Sequence, residues 1–419
     1  MLGLLEASGF SFTDDEYEAD VIVVNTCCFI DDAKAESIES ILEMASMKTE
    51  GKCRKLVVAG CLSERYKEEI LSEFPEVDAY IGTHDLSEII QACALEDEKV
   101  EIPAISPGRI ITTPGHYEFL KIAEGCNKHC TYCIIPYIRG KYQSYPINAL
   151  IEEAKRLAQN GVKELILVAQ ETSIYGRDLY GKECLPQLLI ALCEIPELEW
   201  IRVLYCYPED ITDHFLMVMA NEPKICHYID MPIQHASDRI LKKMGRKTTH
   251  EDLVSVINKA RRMIPDIVLR TTLISGFPSE TEDEHKELCD FVREMRFDHL
   301  GVFPYSQEEG TPAAKMPDQI PDEVKSKRRD AIMQIQEEIA EENMSFYIGN
   351  EFSVLIDGYL PDDDIYVGRT YMDAPEVDGF FYVQADRELN TGDMIRAICR
   401  KANAYDLYGE MIANDEPGK

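Results

Sequence analysis

The sequence contains no run of eighteen apolar residues, the length that a membrane-spanning helix needs, so no such helix is expected. Residues 1–10, MLGLLEASGF, lack the basic start and the long apolar core of a signal peptide. Positive charge is also scarce: 43 Lys and Arg stand against 77 Asp and Glu, for a net charge of −34. Such an acidic surface repels nucleic acid unless basic residues cluster locally, and it attracts basic proteins. These absences predict a cytoplasmic protein without a membrane partner and disfavour nucleic acid as its substrate.

Cysteine, by contrast, is plentiful, with 14 residues in the chain. Because no export signal accompanies these cysteines, we expect reduced thiols that are free to bind metal. The length of 419 residues allows two or three domains. We predict an α/β protein with an N-terminal domain, a linker, a central core with a connector helix, and a small C-terminal barrel, at residues 1–95, 96–116, 117–346 and 347–419.

Residues 118–140, EFLKIAEGCNKHCTYCIIPYIRG, predict a short strand followed by a loop with three cysteines. The spacing C-x3-C-x2-C of Cys126, Cys130 and Cys133 lets one loop hold three irons of a 4Fe–4S cluster and leaves the fourth iron open. Two other interpretations are a structural zinc site, with His129 as the nearby fourth candidate, and three buried core cysteines. The concentration of three thiols on one loop favours the cluster over both.

Residues 1–95 alternate between apolar strands and helices, which predicts a parallel sheet. The strands are expected at residues 20–26, 55–60 and 77–81. Cys27 and Cys61 each follow the end of a strand, where open α/β sheets collect their ligands. The residues alone leave two interpretations open, a shared metal site and two unrelated buried thiols.

Residues 117–320 repeat the strand–helix pattern six times, with strand starts near residues 117, 164, 200, 226, 267 and 298. Six such units predict a parallel, barrel-like sheet that falls short of the eight units of a closed TIM barrel. Polar residues follow or lie on these strands, among them Gln170, Glu171 and Arg270. His235 also follows a strand, and we interpret it as a barrel histidine with satisfied hydrogen bonds.

The C-terminal part predicts a charged helix at residues 322–346 and then five short strands, typical of a small antiparallel barrel. Residues 349–419 carry 15 acidic and 6 basic side chains, a net charge of −9. An RNA-binding domain should be basic, so this charge disfavours RNA. Acidic groups at residues 362–364 and 376–378 would instead attract a basic protein.

The cysteine loop resembles that of radical S-adenosylmethionine (SAM) enzymes. The resemblance implies an incomplete six-stranded barrel and a catalytic 4Fe–4S cluster on Cys126, Cys130 and Cys133, whose open iron accepts SAM. SAM bears an ammonium, a carboxylate, a ribose and an adenine. Gln170 and Glu171 are therefore candidates for its ammonium or a hydroxyl, and Arg270 is a candidate for its carboxylate.

The stretches VVNTC, FIDDAKAESIE, VAGCLSERY, VLYCYPEDIT, CHYIDMPIQHASDRILKKMGRKT and LRTTLISGFPSETEDE resemble the methylthiotransferase family. That resemblance implies a second 4Fe–4S cluster on three cysteines, two of which match Cys27 and Cys61. The third normally follows an earlier strand, for which there is no room before the first helix of this chain. We therefore expect an N-terminally truncated chain with an incomplete second cluster, for which Cys28 and Cys53 are candidate substitute ligands. By position, the C-terminal barrel resembles a TRAM domain.

The stretch MDAPEVDGFFYV resembles the RimO branch of this family. The implied reaction inserts a methylthio group at the β-carbon of an aspartate in small-subunit ribosomal protein S-twelve. Reductive cleavage of SAM would yield a 5′-deoxyadenosyl radical that removes hydrogen from that unactivated carbon. An electron donor such as flavodoxin or ferredoxin is implied. The alternatives are a MiaB-like tRNA-adenosine methylthiotransferase and a non-catalytic iron–sulfur protein that binds the ribosome.

Overall fold

The computed structural model describes residues 1–84, 86–95 and 108–412, so most of the predicted linker lies outside the described residues. None of the described helices is long and apolar enough to cross a membrane. The domain limits given above remain a prediction. The chain forms two compact units, the first with Met1–Ile111, Cys126–Lys141 and Ser306–Lys315, and the second with Thr112–Gly125, Tyr142–Tyr305 and Met316–Lys419.

The first unit contains a three-stranded parallel sheet with the order β1-β2-β3, as the strand–helix alternation predicts. Alternate residues of the central strand face two separate apolar cores: Leu56 and Val58 pack into one, and Val57 and Ala59 into the other. The strands are β1 (Val21–Thr26), β2 (Lys55–Gly60) and β3 (Ala79–Ile81), and the helices are α1 (Leu2–Ala7), α2 (Asp31–Glu50), α3 (Cys61–Arg65), α4 (Lys67–Glu73), α5 (Ile89–Cys93) and α6 (Ile135–Ile138).

The second unit contains a six-stranded parallel sheet with the order β11-β10-β9-β8-β7-β4. All six predicted strands are present, and their starts differ from the predicted ones by at most one residue. The strands are β4 (Tyr117–Lys121), β7 (Glu164–Val168), β8 (Trp200–Val203), β9 (Ile225–Asp230), β10 (Val268–Ser275) and β11 (His299–Pro304), with a separate short pair, β5 (Ala123–Glu124) and β6 (Gln143–Ser144).

Helices follow the strands of this sheet and cover its outer face. Two of them begin with a capping box, in which Thr249 pairs with Asp252 and Thr281 with Glu284, so these helix starts are defined by their own sequence. The helices are α7 (Ile147–Gln159), α8 (Arg177–Tyr180), α9 (Leu185–Cys193), α10 (Asp213–Asn221), α11 (Asp238–Lys243), α12 (His250–Met263), α13 (Glu282–Met295) and α14 (Asp322–Ser345), and short 3-10 turns lie at Leu86–Glu88, Pro208–Asp210 and Ala313–Lys315.

After α14 the chain forms the predicted small closed barrel, with the strand order β12-β13-β14-β16-β15. Most neighbouring strands are antiparallel, but β14 and β16 pair in parallel, so the barrel is not wholly antiparallel. The reason is the path of the chain, which reverses direction twice between these two strands, once on entering β15 and once on leaving it. The strands are β12 (Glu351–Leu360), β13 (Ile365–Arg369), β14 (Phe381–Gln384), β15 (Met394–Ala402) and β16 (Leu407–Met411).

The C-terminal barrel packs against the amino ends of the sheet strands through a buried ion-pair network. Glu164, at the start of β7, accepts hydrogen bonds from Arg202 Nε at 2.7 Å and from Arg369 Nη1 at 2.5 Å. Arg369 also pairs with Asp357, which contacts His116 Nε2 at 2.6 Å. Burial alone would raise the pKa of Glu164, but the two guanidinium groups hold it below its usual range. The barrel therefore packs against the amino ends of the strands.

Candidate active site

The first group of candidate ligands lies on the loop after β5, and we call Cys126, Cys130 and Cys133 the loop centre. Cys126 N donates to Gly140 O at 3.2 Å, and Cys133 N donates to Cys130 O at 3.0 Å, so hydrogen bonds of the backbone close the loop. Cys126 and Cys130 are buried, and Cys133 is half-buried. The sequence therefore brings three thiols together through local structure alone.

The loop centre offers three thiols, which is the ligand set for three irons of an iron–sulfur cluster. Burial, together with the neighbouring Cys130 and Cys126, raises the pKa of Cys133 to about 12, so this thiol needs a bound cation to ionise at neutral pH. His129 is exposed. Within the described ranges, no group of three or more His, Cys, Asp or Glu side chains can hold a single metal ion.

The second group lies at the edge of the three-stranded sheet, and we call Cys27 and Cys61 the strand-edge centre. Thr26 pairs with Gly60 at the ends of β1 and β2, so the next residue of each strand leaves the same carboxyl edge. Gly60 has a φ of 104°, and a Cβ there would lie 2.5 Å from Thr26 O. Only glycine allows this close turn into α3. The structure thus places both cysteines at one edge, and their role as metal ligands stays a prediction.

One serine positions the strand-edge centre, and two further thiols, Cys28 and Cys53, were candidate substitute ligands for it. Ser37 Oγ accepts from Cys27 N at 3.0 Å and donates to Cys27 O at 2.9 Å. Cys28 is fully buried in the core, where its Sγ donates to Cys61 O at 3.1 Å. Cys53 precedes β2 and is buried near the opposite, amino end of that strand. Cys53 therefore lies away from the carboxyl edge, whereas the sulfur of Cys28 lies next to Cys61, and the role of Cys28 as a substitute ligand stays a prediction.

Charged residues that the sequence analysis missed surround these centres. Arg139, which ends α6, places Nη2 3.1 Å from Cys61 Sγ and so connects the loop centre to the strand-edge centre. The buried carboxylate of Glu308 accepts from Lys34 Nζ at 3.2 Å and from Arg65 Nη1 at 3.1 Å. Glu308 lies 243 residues from Arg65 along the chain, so no local pattern in the sequence indicates this pairing.

Two predicted SAM-binding residues follow β7 in the second unit. Tyr142 Oη donates to Glu171 O at 2.9 Å, which fixes the backbone there, and Glu171 is fully buried. Gln170 Oε1 is buried and accepts no hydrogen bond from any residue in the described part of the chain. A buried acceptor without a donor costs free energy that a ligand can recover. Gln170 therefore fits an amino group such as those of SAM, although this role stays a prediction.

The third predicted SAM-binding residue, Arg270, already has two acidic neighbours. Its Nη1 donates to Asp230 Oδ1 at 2.9 Å, and its Nε lies 3.5 Å from Asp378 Oδ1. The side chain is 21% exposed. A carboxylate of SAM would therefore have to use the remaining edge of the guanidinium group.

His235 lies in the interior of the second unit and is fully buried. Its Nδ1 accepts from Ser237 N at 3.0 Å. Burial lowers the pKa of His235 to about 3, so the ring is neutral. Its Nε2, however, is buried and has no hydrogen-bond partner among the described residues, so the expectation of a histidine with satisfied hydrogen bonds holds for one ring nitrogen and is wrong for the other.

Comparisons with known proteins identify the family. Three family models match: the radical SAM superfamily over residues 120–292, uncharacterized protein family UPF0004 over residues 1–82, and the TRAM domain over residues 348–412. Ribosomal protein uS12 methylthiotransferase RimO of Lachnoclostridium phytofermentans is 55% identical over 418 residues, which cover 98% of this chain and 95% of the relative. The chain belongs to the RimO family. A RimO of Clostridioides difficile is 48% identical over 422 residues, with the same coverage.

A solved structure shares the fold. The radical SAM methyltransferase TsrM of Kitasatospora setae, determined with cobalamin and a [4Fe-4S] cluster, superposes with a TM-score of 0.50 at 14% identity. The match covers 71% of this chain and 66% of that chain. As a member of the RimO family, this protein is a radical SAM enzyme of the methylthiotransferase class, and its cofactors are a 4Fe–4S cluster and SAM. The match to UPF0004 in the first unit fits a second cluster.

Proposed function

We propose that this protein inserts a methylthio group at the β-carbon of an aspartate in small-subunit ribosomal protein uS12. The supporting observation is that one compact unit contains both cysteine centres, and that Arg139, which follows the cysteine loop in the chain, places Nη2 3.1 Å from Cys61 Sγ. Methylthio transfer requires SAM cleavage and a source of sulfur together. The RimO relatives carry this substrate in their names.

Each centre has a separate task in this proposal. The loop centre would hold the 4Fe–4S cluster, which supplies the electron for SAM cleavage and thus the radical chemistry that an unactivated C–H bond requires. The strand-edge centre would hold the second cluster and the sulfur to be inserted. In the second unit, Gln170 and Glu171 would bind the amino group or a hydroxyl of SAM, and Arg270 would bind a carboxylate.

The charge of the C-terminal barrel supports a basic protein as the substrate. Residues 362–364, in the turn between β12 and β13, are all acidic and exposed. The second predicted acidic group, residues 376–378, contributes less, because Asp378 is buried and Glu376 accepts a hydrogen bond from Tyr117 Oη at 2.8 Å. The exposed turn would attract the Lys- and Arg-rich surface of a ribosomal protein, and this attraction should weaken with added salt.

The basic residues of the C-terminal barrel give little support to tRNA as the substrate. Arg400 and Lys401 are adjacent basic residues that could contact a phosphate. Arg400 Nε, however, donates to Glu410 Oε1 at 2.9 Å, and Lys401 Nζ lies over the ring of Tyr408, 5.5 Å from its centroid. A tRNA-binding surface needs several clustered and uncompensated cations. The proposal is completed by an electron donor such as flavodoxin or ferredoxin and by action in the cytoplasm.

A competition experiment tests the choice of substrate. The reconstituted enzyme is offered uS12 and a tRNA together with SAM and a reductant, and mass spectrometry locates the methylthio group. We expect it on the uS12 aspartate, and a Cys130→Ala variant serves as the inactive control. Methylthio-adenosine in the tRNA with an unmodified aspartate would overturn the proposal in favour of the tRNA enzyme. A protein that binds uS12 but modifies neither substrate would be the non-catalytic alternative.

A further inference from the structure

A loop of the C-terminal barrel places Asp378 against side chains of β9 and β10 in the six-stranded sheet. This residue lies between β13 and β14, and its side chain is 2% exposed. Its Oδ2 accepts from Tyr228 Oη at 2.6 Å and from Ala374 N at 2.9 Å, so one carboxylate oxygen is anchored. The other, Oδ1, lies 3.5 Å from Arg270 Nε and 3.6 Å from His299 Nδ1. A residue of the barrel thus touches a candidate ligand-binding guanidinium group.

Arg270 is held on its other side by Asp230. Nη1 of Arg270 donates to Asp230 Oδ1 at 2.9 Å, and Asp230 Oδ2 accepts from Tyr205 N at 3.1 Å. Tyr205 follows the carboxyl end of β8, has a φ of 58° and is 48% exposed. Asp230 therefore connects Arg270 to the open, carboxyl edge of the sheet.

Two carboxylates on two sides leave one edge of the guanidinium group available. Nη1 and Nε are the atoms that face Asp230 and Asp378, and Nη2 has no partner within the described part of the chain. The Arg270 side chain as a whole is 21% exposed. A planar guanidinium with fixed orientation is the group that proteins use to bind carboxylates.

We propose that Asp378 is a positioning residue of the active site, which orients Arg270 so that Nη2 binds a carboxylate of a reactant. The inference rests on the proposed function, because the two carboxylates in question are those of SAM and of the target aspartate. It adds that the C-terminal barrel contributes to the site itself through Asp378 and does more than attract the substrate.

Positioning and simple electrostatics predict opposite results for Asp378→Asn. Removal of a negative charge makes the surroundings of Arg270 more positive, so a purely electrostatic role predicts tighter binding of anions. Loss of orientation predicts weaker binding, by about tenfold if one charge-assisted hydrogen bond is misplaced. The sign of the change in affinity therefore decides between the two roles.

The experiment uses the reconstituted full chain. The Kd of SAM is measured by equilibrium dialysis, and the KM of uS12 and kcat are measured by product formation. For Asp378→Asn we expect one of the two constants to rise about tenfold while the iron content stays unchanged. A rise in the SAM Kd identifies the carboxylate of SAM as the group that Arg270 Nη2 binds. A rise in the uS12 KM with an unchanged SAM Kd identifies the target aspartate as that group.

Tyr228→Phe is the matched control, because it removes a hydrogen bond to Oδ2 and leaves the charge beside Arg270. We expect a smaller loss than for Asp378→Asn, because Ala374 N still holds Oδ2 and the carboxylate stays beside Arg270. The proposal is overturned if Tyr228→Phe causes the same loss, or if Asp378→Asn leaves both constants unchanged or lowers them. Should Asp378→Asn fail to fold, Arg270→Lys replaces it, since it keeps the charge and removes Nη2, and unchanged constants there would also overturn the proposal.

These outcomes are separable from the proposed function. If the parent enzyme does not modify uS12 but Asp378→Asn still weakens SAM binding, the function is wrong and the positioning role stands. If the parent enzyme modifies uS12 and the Asp378→Asn variant binds both reactants normally, the proposed function stands and the positioning role is wrong.

Discussion

The loop centre and the strand-edge centre use the same side chain but are assembled in different ways. Cys126, Cys130 and Cys133 share one loop, whose backbone hydrogen bonds hold them together. Cys27 and Cys61 follow two different strands and meet because Thr26 pairs with Gly60 across the sheet. The first arrangement depends on local structure, and the second depends on the register of β1 and β2.

This difference predicts different sensitivities to mutation. The loop centre should respond to changes of its own cysteines and tolerate changes in the sheet. The strand-edge centre should respond to residues that contain no sulfur but set the register or the exit of a strand. The contact of Arg139 with Cys61 is the point at which the two centres cease to be independent. The predictions below test this contrast.

The largest effect is expected for Cys130→Ala. Loss of one of three thiolates should abolish the SAM-responsive cluster and SAM cleavage, because each cysteine holds one iron. Iron content, electron paramagnetic resonance and formation of 5′-deoxyadenosine measure this loss. Cys93→Ala removes a buried core thiol away from both centres and should retain iron. Iron and SAM cleavage that survive Cys130→Ala would show that the loop centre is wrongly assigned.

Gly60→Ala should damage the strand-edge centre without any change of a cysteine. The new Cβ would lie 2.5 Å from Thr26 O at a φ of 104°, so we expect a loss of about 3 kcal/mol in the free energy of unfolding. In a background without the three loop cysteines, iron bound at the strand-edge centre should fall as well. Urea unfolding and iron analysis measure the two effects.

Gly161→Ala is the control for this variant, because Gly161 has the same φ of 104° but nothing within 4 Å of the new Cβ. Backbone strain in this variant should lower the free energy of unfolding by only about 1 kcal/mol and leave the iron content unchanged. Equal losses for the two variants would refute the role of the contact with Thr26.

Arg139→Met should have a smaller effect, confined to the strand-edge centre. It removes the guanidinium group next to Cys61 Sγ, an interaction of about 1.5 kcal/mol if it resembles other charge-assisted hydrogen bonds. Less iron should remain at the strand-edge centre in the background without loop cysteines. Arg139→Lys keeps the charge, so its iron content at the strand-edge centre should lie between that of Arg139→Met and that of the parent protein. If both variants retain all iron, the two centres are independent.

The smallest effect is expected for Ser37→Ala. Its hydroxyl accepts from Cys27 N and donates to Cys27 O, so its loss leaves a half-buried amide without its partner and should cost about 1 kcal/mol in the free energy of unfolding. Ser72→Ala is the control, because Ser72 is exposed and only donates to Glu69 O on its own helix. A change below about 0.5 kcal/mol is expected for that variant. Equal changes in the two variants would contradict a special role for Ser37.

Much of the fold was predictable because its signals are local. Apolar runs and turn residues located all six strands of the central sheet and all five strands of the C-terminal barrel. The parallel pairing of β14 with β16 was not predictable, since it depends on which strands become neighbours after the chain has passed through β15. The acidic group at residues 376–378 was misjudged for the same reason, because burial of Asp378 against Arg270 is a long-range contact.

The sequence by itself determined the loop centre, because the spacing of Cys126, Cys130 and Cys133 is a property of a few consecutive residues whose backbone closes on itself. It also determined that Cys27 and Cys61 each end a strand. Only the tertiary structure decided that these two cysteines share one edge, that Arg139 lies against Cys61, and that Asp378 and Asp230 lie against Arg270. Those contacts join residues that are distant in the chain, and their geometry is set by strand register and by burial, which no local pattern encodes.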